Sequence, residues 1–107
     1  MAKTIPADAR GFAQLEAKAA EAAQMLRLLA NERRLLVLCQ LAAEGEAAVG
    51  ALADSVGLSP SALSQHLARL RDDELVTTRR EAQTIYYRIA DPRVARLLAL
   101  LKDIYCS

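Results

Sequence analysis

This sequence of 107 residues is poor in residues that break helices, with only four glycines and three prolines. No stretch approaches the roughly 18 consecutive apolar residues of a membrane-spanning helix, and the N-terminus lacks the hydrophobic core of a signal peptide. We therefore expect a cytoplasmic protein with no membrane partner, in a compartment where thiols are kept reduced. Because 53% of the residues are hydrophobic, the composition predicts one mainly helical domain spanning residues 1–107.

Features that most enzymes need are also missing. The sequence has no glycine-rich loop to cradle a phosphate, no nucleophile–base pair in a recognisable context and no cluster of metal-ligating residues. His66 is the only histidine, and Cys39 and Cys106 are the only cysteines. We expect no enzyme activity, no cofactor and no bound metal.

Residues 49–72 have the pattern of two short helices joined by a turn. Gly57 is expected to end the first helix, because glycine adopts the left-handed conformation needed there without steric penalty. Ser59 is a good N-cap for the second helix, and Pro60 suits the first helical position, where no N–H is needed. The leucines of the second helix recur at helical spacing and should face the core.

The opposite face of this second helix carries side chains that can read DNA. Gln65 can pair with adenine and Arg69 with guanine. The hydroxyls of Ser61 and Ser64 can reach bases or phosphates. A solvated amphipathic helix in a small bundle remains open as an alternative, because polar exposed faces are ordinary.

Residues 75–90 predict a two-stranded hairpin, in which β-branched and aromatic residues flank a polar tip. Its arginines, Arg79, Arg80 and Arg88, are expected to contact the DNA backbone, although alternate strand residues point to opposite faces. A helix-turn-helix followed by such a wing predicts a winged helix-turn-helix fold, mainly α with about five helices and two strands. A winged-helix module that binds protein also remains open.

Long apolar stripes precede and follow the predicted helix-turn-helix and hairpin. Between Gly11 and Leu29 apolar residues alternate at spacings of three and four, and a second stripe runs through residues 92–106. Two such helices exceed what the core of a small domain needs. Asn31 is expected to cap the helix that follows the first stripe, with Arg33 and Arg34 solvated on that helix.

The run SPSALSQHLARLRDDELV, the charged hairpin, YYRIADP and the upstream LANERRLLVLCQL resemble the ArsR family of bacterial winged helix-turn-helix repressors. The resemblance covers residues 25–91. It implies a homodimer, built from helices 12–29 and 92–106, that binds double-stranded operator DNA. A net charge of only +1 fits a protein that depends on two half-sites for tight binding.

The sequence departs from the family pattern at two turns. Glu74 follows the recognition helix and Ala82 lies at the hairpin tip, and both are positions where glycine is frequent in the family. Asp73 is expected to adopt the left-handed turn in place of Glu74, because aspartate tolerates that conformation better than most residues.

The two cysteines are the remaining candidate site. Cys39 lies on an apolar helix face, where free cysteine is commonly a small buried residue. Cys106 is penultimate, where burial is poor. The family's metal sensors commonly use cysteines before the recognition helix, or Asp and His on the last helix. Residues 46–53 hold no such ligand and residues 91–107 no histidine, and His66 is expected to pack or cap, which disfavours metal sensing.

The placement of Cys39 and Cys106 resembles the branch of the family that responds to sulfide and persulfide. In that branch, reactive sulfur species link two thiols through a disulfide or polysulfide, and DNA affinity falls. The resemblance implies a repressor that releases operator DNA when these two cysteines are bridged, with persulfide or polysulfide as inducer. A peroxide or thiol-redox sensor and a soft-metal or metalloid sensor remain open, because selectivity depends on thiolate pKa and access.

Overall fold

Six helices and three short strands make up residues 9–106, the part of the chain that the computed structural model describes. The predicted domain ends at residues 1 and 107 lie outside these described residues. The elements in chain order are α1 (Ala9–Ala17), α2 (Ala19–Leu29), α3 (Glu32–Glu44), β1 (Ala47–Ala48), α4 (Val49–Val56), α5 (Pro60–Asp72), β2 (Val76–Glu81), β3 (Thr84–Ile89) and α6 (Pro92–Cys106). The predicted winged helix-turn-helix fold is confirmed, with one helix and one strand more than the pattern indicated.

The additional helix arises because the predicted N-terminal helix is divided at Lys18. This residue has φ −109° and ψ 9°, and its N–H donates to the Leu15 carbonyl at 3.0 Å, three residues back. Such a bond tightens the turn relative to an α-helix. Only the second segment reaches the core, through Leu28 and Leu29, whereas none of residues 11–17 is buried. The local sequence contains neither glycine nor proline, so spacing alone did not reveal the break.

The core lies between α3, α5 and the base of the hairpin, with α4 and α6 closing its sides. Its fully buried side chains are Val37, Leu38, Leu41, Leu52, Leu63, Leu67, Leu70 and Val94. No polar or charged residue among residues 11–106 is buried. The predicted inward leucines of α5 belong to this set, so the polar face of α5 points outward. Within residues 9–106, no helix combines the length and apolarity that crossing a membrane requires.

The three strands form an antiparallel sheet in the order β1-β3-β2. Tyr86 on the central strand pairs with Arg79 on one side and Ala48 on the other. The strand β1 consists of two alanines, which have no strand signature, so its formation depends on the exposed edge of β3. The added strand anchors the hairpin to the segment before α4. At the hairpin tip Ala82 has a φ of 56°.

The turn between α4 and α5 has the predicted geometry. Gly57 ends α4 with φ 70° and ψ 35°, and the Leu58 N–H donates to the Ala53 carbonyl at 3.1 Å. Ser59 Oγ accepts the Ala62 N–H at 3.1 Å, and Pro60 is the first residue of α5. These bonds fix the angle at which α5 leaves the turn.

The end of α5 corrects the prediction for Asp73, which has φ −95°, while Glu74 has φ 62° and is itself left-handed. The Leu75 N–H donates to the Leu70 carbonyl and the Glu74 N–H to the Arg71 carbonyl, both at 2.9 Å. This pair of bonds closes a helix only when the position held by Glu74 is left-handed. The conformation costs about 1–2 kcal/mol for a residue with a side chain.

Candidate DNA interface and thiol pair

The predicted base-reading residues lie exposed along one side of α5: Ser61, Ser64, Gln65 and Arg69. Their exposure follows from the register that buries the α5 leucines. The side chains of the two serines and the glutamine make no hydrogen bond to any residue from 11 to 106. Arg69 Nε lies 3.4 Å from Asp73 Oδ2, an exposed ion pair that contributes little. All four groups are therefore available to a ligand such as DNA.

The hairpin arginines lie on two different faces of the sheet. Cross-strand pairing places Thr77 opposite Arg88 and Arg79 opposite Tyr86, so these side chains share the face directed away from the core. Arg80 pairs with Ile85 on the other face, beyond the buried part of the hairpin. All three arginines are exposed, but they do not form one positive surface.

Arg79 is held within the sheet by a group of side chains that we call the wing clasp: Glu46, Arg79, Glu81 and Tyr86. The Arg79 guanidinium donates to Glu46 through Nη2 at 2.6 Å and Nε at 3.2 Å, and to Glu81 through Nη1 at 3.3 Å. Its central carbon lies 4.6 Å from the centroid of the Tyr86 ring. Sequence reasoning missed Glu46, because its partner is 33 residues away.

The wing clasp perturbs both of its main charges. The hydrogen bond from Arg79 lowers the pKa of Glu46 below its usual range, and the positive charges of Arg79 and Arg88 add to this effect. The hydrogen bonds to Glu46 and Glu81 in turn raise the pKa of Arg79. Both Glu46 and Arg79 are thus charged throughout the neutral range.

The two predicted thiols lie on helices that contact each other. Cys39 lies on α3 and Cys106 is the last residue of α6, and these two helices pack against each other. Both cysteines are exposed, so the alternative of Cys39 as a buried core residue is wrong. Partial loss of hydration raises the pKa of Cys39, and the nearby negative charge of a Cys106 thiolate raises it further. His66 is half-buried on α5, and no group of three or more His, Cys, Asp or Glu side chains within residues 11–106 could hold a metal ion.

The helix that carries Cys39 is fixed by two contacts at its start. Asn31 Oδ1 accepts the Arg34 N–H at 3.1 Å, as predicted for an N-cap. The expectation that Arg34 is solvated is wrong: its Nη1 donates to the Leu28 carbonyl at 3.1 Å, and its buried Nε has no partner in the described part of the chain. Arg33 is exposed, as expected.

Several large apolar side chains are exposed on the N-terminal helices and α6: Phe12, Leu15, Leu26, Leu100, Ile104 and Tyr105. Met25 and Leu26 of α2 and Leu97 of α6 line a shared groove of about 450 Å³. Arg93 at the rim of this groove donates to Glu21 at 2.9 Å, which ties the two helices together. The apolar side chains in the groove and the exposed apolar side chains of these helices are poorly solvated by water.

The fold, with an exposed polar recognition helix and a hairpin wing, defines a winged helix-turn-helix regulator. Residues 31–78 match the family described as bacterial regulatory protein, arsR family. The chain is 45% identical over 95 residues to the HTH-type transcriptional regulator YgaV of Escherichia coli strain K12, which covers 89% of this chain and 96% of YgaV. The chain therefore belongs to the ArsR family, and it is a transcriptional regulator, not an enzyme.

Solved structures with the same fold include two that are similar in sequence. Reduced HlyU from Vibrio cholerae N16961 has a TM-score of 0.80 and 47% identity, covering 88% of this chain and 98% of that protein. The transcriptional repressor BigR from Xylella fastidiosa has a TM-score of 0.82 and 37% identity, covering 88% and 95%. The likeness to both extends over nearly the whole described chain.

Proposed function

We propose that this regulator is a cytoplasmic homodimeric repressor that binds operator DNA while Cys39 and Cys106 are reduced. Bridging of the two thiols by a reactive sulfur species releases the DNA. The observation that supports the proposal is that the only two cysteines of the sequence are both exposed and lie on two helices, α3 and α6, that pack against each other. The similarity to a protein solved as reduced HlyU is consistent with a thiol-dependent state.

DNA reading is assigned to α5. A helix whose start is fixed by a capping serine and a proline is well suited to enter a major groove in one orientation. Gln65 and Arg69 then supply bidentate donors and acceptors for base edges, while the two serines reach bases or phosphates. Arg80 and Arg88 are the hairpin arginines with no ion pair to any residue from 11 to 106, and we assign them to the DNA backbone.

Dimerisation is assigned to the helices of residues 12–29 and 92–106. Their exposed apolar side chains and the groove between α2 and α6 are supporting observations. A second copy would remove this surface from water, which stabilises association in proportion to the apolar area buried. Two recognition helices in one dimer would read two half-sites, which fits the small net charge of the chain.

We write the first chemical step at Cys106, because partial loss of hydration raises the pKa of Cys39 and so disfavours its thiolate. The Cys106 thiolate attacks a polysulfide sulfur, an S–S bond breaks, and the departing fragment leaves as a sulfide or persulfide anion with the bonding electron pair. Cys39 then loses its proton to solvent and attacks the Cys106 persulfide. A disulfide forms and hydrosulfide leaves, so the two thiols lose two electrons to the polysulfide. If Cys106 carries a longer sulfur chain, attack of Cys39 on the sulfur next to the terminal one breaks the bond to the terminal sulfur, which leaves as hydrosulfide, and gives a polysulfide bridge.

A bridge between the two thiols would affect DNA binding through the packing of α3. This helix contacts α4, the first helix of the helix-turn-helix, and it also contacts α6, one of the assigned dimerisation helices. A covalent link between α3 and the end of α6 changes how the dimer packs, and with it the spacing of the two recognition helices. Because two half-sites are one helical turn of DNA apart, a changed spacing lowers affinity.

The test uses fluorescence anisotropy on a labelled duplex that the reduced wild-type protein selects from a randomised pool. Inorganic polysulfide should release the duplex, and dithiothreitol should restore binding. The variants Cys39→Ser and Cys106→Ser should each stay bound after treatment, and normal release of both would rule out the dithiol mechanism. Release by peroxide or arsenite in the absence of any response to polysulfide would favour the redox or metalloid alternative.

A further inference from the structure

The wing clasp joins the two outer strands of the sheet across the central one. Glu46 directly precedes β1, Arg79 lies on β2, and the Tyr86 ring on β3 lies beneath the guanidinium. The contact is thus formed between segments far apart in sequence, and it covers the face of the hairpin directed away from the core. Glu46, Tyr86 and Ser55 of α4 also line one groove, so the clasp borders the helix-turn-helix.

Most of the donors of the guanidinium in the clasp are already used by carboxylate oxygens. Three of its five N–H donors are used by Glu46 and Glu81, and the two carboxylates together carry one more negative charge than Arg79 compensates. A phosphate that approaches Arg79 is therefore repelled by two carboxylates and finds only two of the five N–H donors unused. In this arrangement Arg79 adds no net attraction for DNA.

A ligand can nevertheless break the ion pair between Arg79 and Glu46. The side chains of Arg79 and Glu46 are 44% and 32% exposed, so both partners remain partly hydrated. Exposed ion pairs contribute little net stability, because solvent and salt screen them. A DNA phosphate is an equivalent bidentate acceptor for an arginine.

We propose that Glu46 competes with a DNA phosphate for Arg79, so that Glu46 limits the affinity of the regulator for its operator. Arg79 of the hairpin contacts the DNA backbone only after its guanidinium has separated from Glu46. This inference rests on the proposed DNA-binding function and adds an affinity-determining residue that lies outside the recognition helix and the hairpin.

The decisive variant is Glu46→Gln, which keeps the shape of the side chain and removes its charge. We expect it to bind the selected duplex about 2- to 30-fold tighter per dimer, as loss of a competing exposed ion pair in each subunit predicts. Its affinity should also fall more steeply with salt, by about two released counterions per dimer. Thermal unfolding followed by circular dichroism should show that the variant is folded.

The matched control is Glu44→Gln. Glu44 is exposed two residues upstream and carries the same charge, but its carboxylate accepts a hydrogen bond only from Gln40, at 3.2 Å, among residues 11–106. This control should leave the salt dependence unchanged. A second control combines Glu46→Gln with Arg79→Gln, and in that background the glutamate substitution should no longer tighten binding.

Three results would overturn the inference: Glu46→Gln binding no tighter than wild type, equal tightening by Glu44→Gln, or tightening that persists without Arg79. Weaker binding by Glu46→Gln would show instead that the clasp holds the wing in a binding-competent shape. Failure of the wild-type protein to bind any duplex in the initial selection would contradict the proposed function itself, and that result is separate from the comparison of variants.

Discussion

The Arg34 guanidinium, in the first turn of α3, donates a hydrogen bond to the Leu28 carbonyl in the last turn of α2 at 3.1 Å. This carbonyl has no partner within its own helix, because the last four carbonyls of a helix lack one. The bond therefore fixes the junction between the helix assigned to dimerisation and the helix that carries Cys39.

Arg34→Ala should lower the free energy of unfolding by about 1–3 kcal/mol, because a charge-assisted hydrogen bond and part of the side-chain packing are lost. Urea denaturation followed by circular dichroism measures this difference. The neighbouring Arg33 is exposed, so Arg33→Ala should change stability by less than about 0.5 kcal/mol. Equal effects of the two substitutions would show that the Leu28 contact contributes nothing.

Glu74→Gly should stabilise the protein by about 1 kcal/mol, because glycine adopts the observed φ of 62° without the steric penalty of a side chain. The adjacent Asp73 has φ −95°, so Asp73→Gly should destabilise instead, through greater entropy of the unfolded chain. The midpoints of urea denaturation compare the two variants. Stabilisation by Asp73→Gly but not by Glu74→Gly would place the left-handed residue one position earlier.

Local features of the fold were predictable from the sequence, since they depend on residues that are close along the chain. Asn31 and Ser59 cap helices, and Gly57 ends one, because each conformation is decided by the residue itself and its immediate neighbours. The winged helix-turn-helix followed from the order of these signals. The break at Lys18 was not predictable, because no local residue type requires it.

Contacts between distant segments account for what the sequence did not reveal. Glu46 meets Arg79 only after β1 pairs with β3, and two alanines give no sign of that pairing. The Arg34 contact depends on how α2 and α3 meet, and helical spacing does not specify that angle. Cys39 and Cys106 were predicted as a pair from the family resemblance. The exposure of Cys39 depends on how α3 packs against its neighbours, and the apolar pattern of the helix face does not determine that packing.

Bridging of the thiols should accelerate with pH. The pKa of Cys39 lies above its usual range, so below that pKa the reactive thiolate fraction increases about tenfold for each pH unit. Intact-mass spectra recorded during polysulfide treatment between about pH 6 and pH 8 measure the rate at which the bridge forms. Cys39→Ser should stop at the Cys106 persulfide. A bridging rate that does not change with pH would contradict attack by a thiolate.

Leu26→Glu and Leu100→Glu should each convert the proposed dimer to a monomer. Both leucines are more than half exposed, on α2 and α6 respectively, and a buried unpaired carboxylate in each copy opposes association. Ile85→Glu alters an exposed aliphatic residue at the hairpin and should leave the dimer intact. Sedimentation equilibrium distinguishes these outcomes. Persistence of the dimer in both leucine variants would place the interface elsewhere.

The most direct test of the thiol switch joins two readings on one sample: the intact mass after graded polysulfide treatment, and the fraction of selected duplex still bound. We expect the bound fraction of duplex to fall in step with the fraction of chains that carry a Cys39–Cys106 bridge. Dithiothreitol should return both fractions to their starting values. Full DNA binding by fully bridged protein, or release by protein with no bridge, would contradict the proposed function.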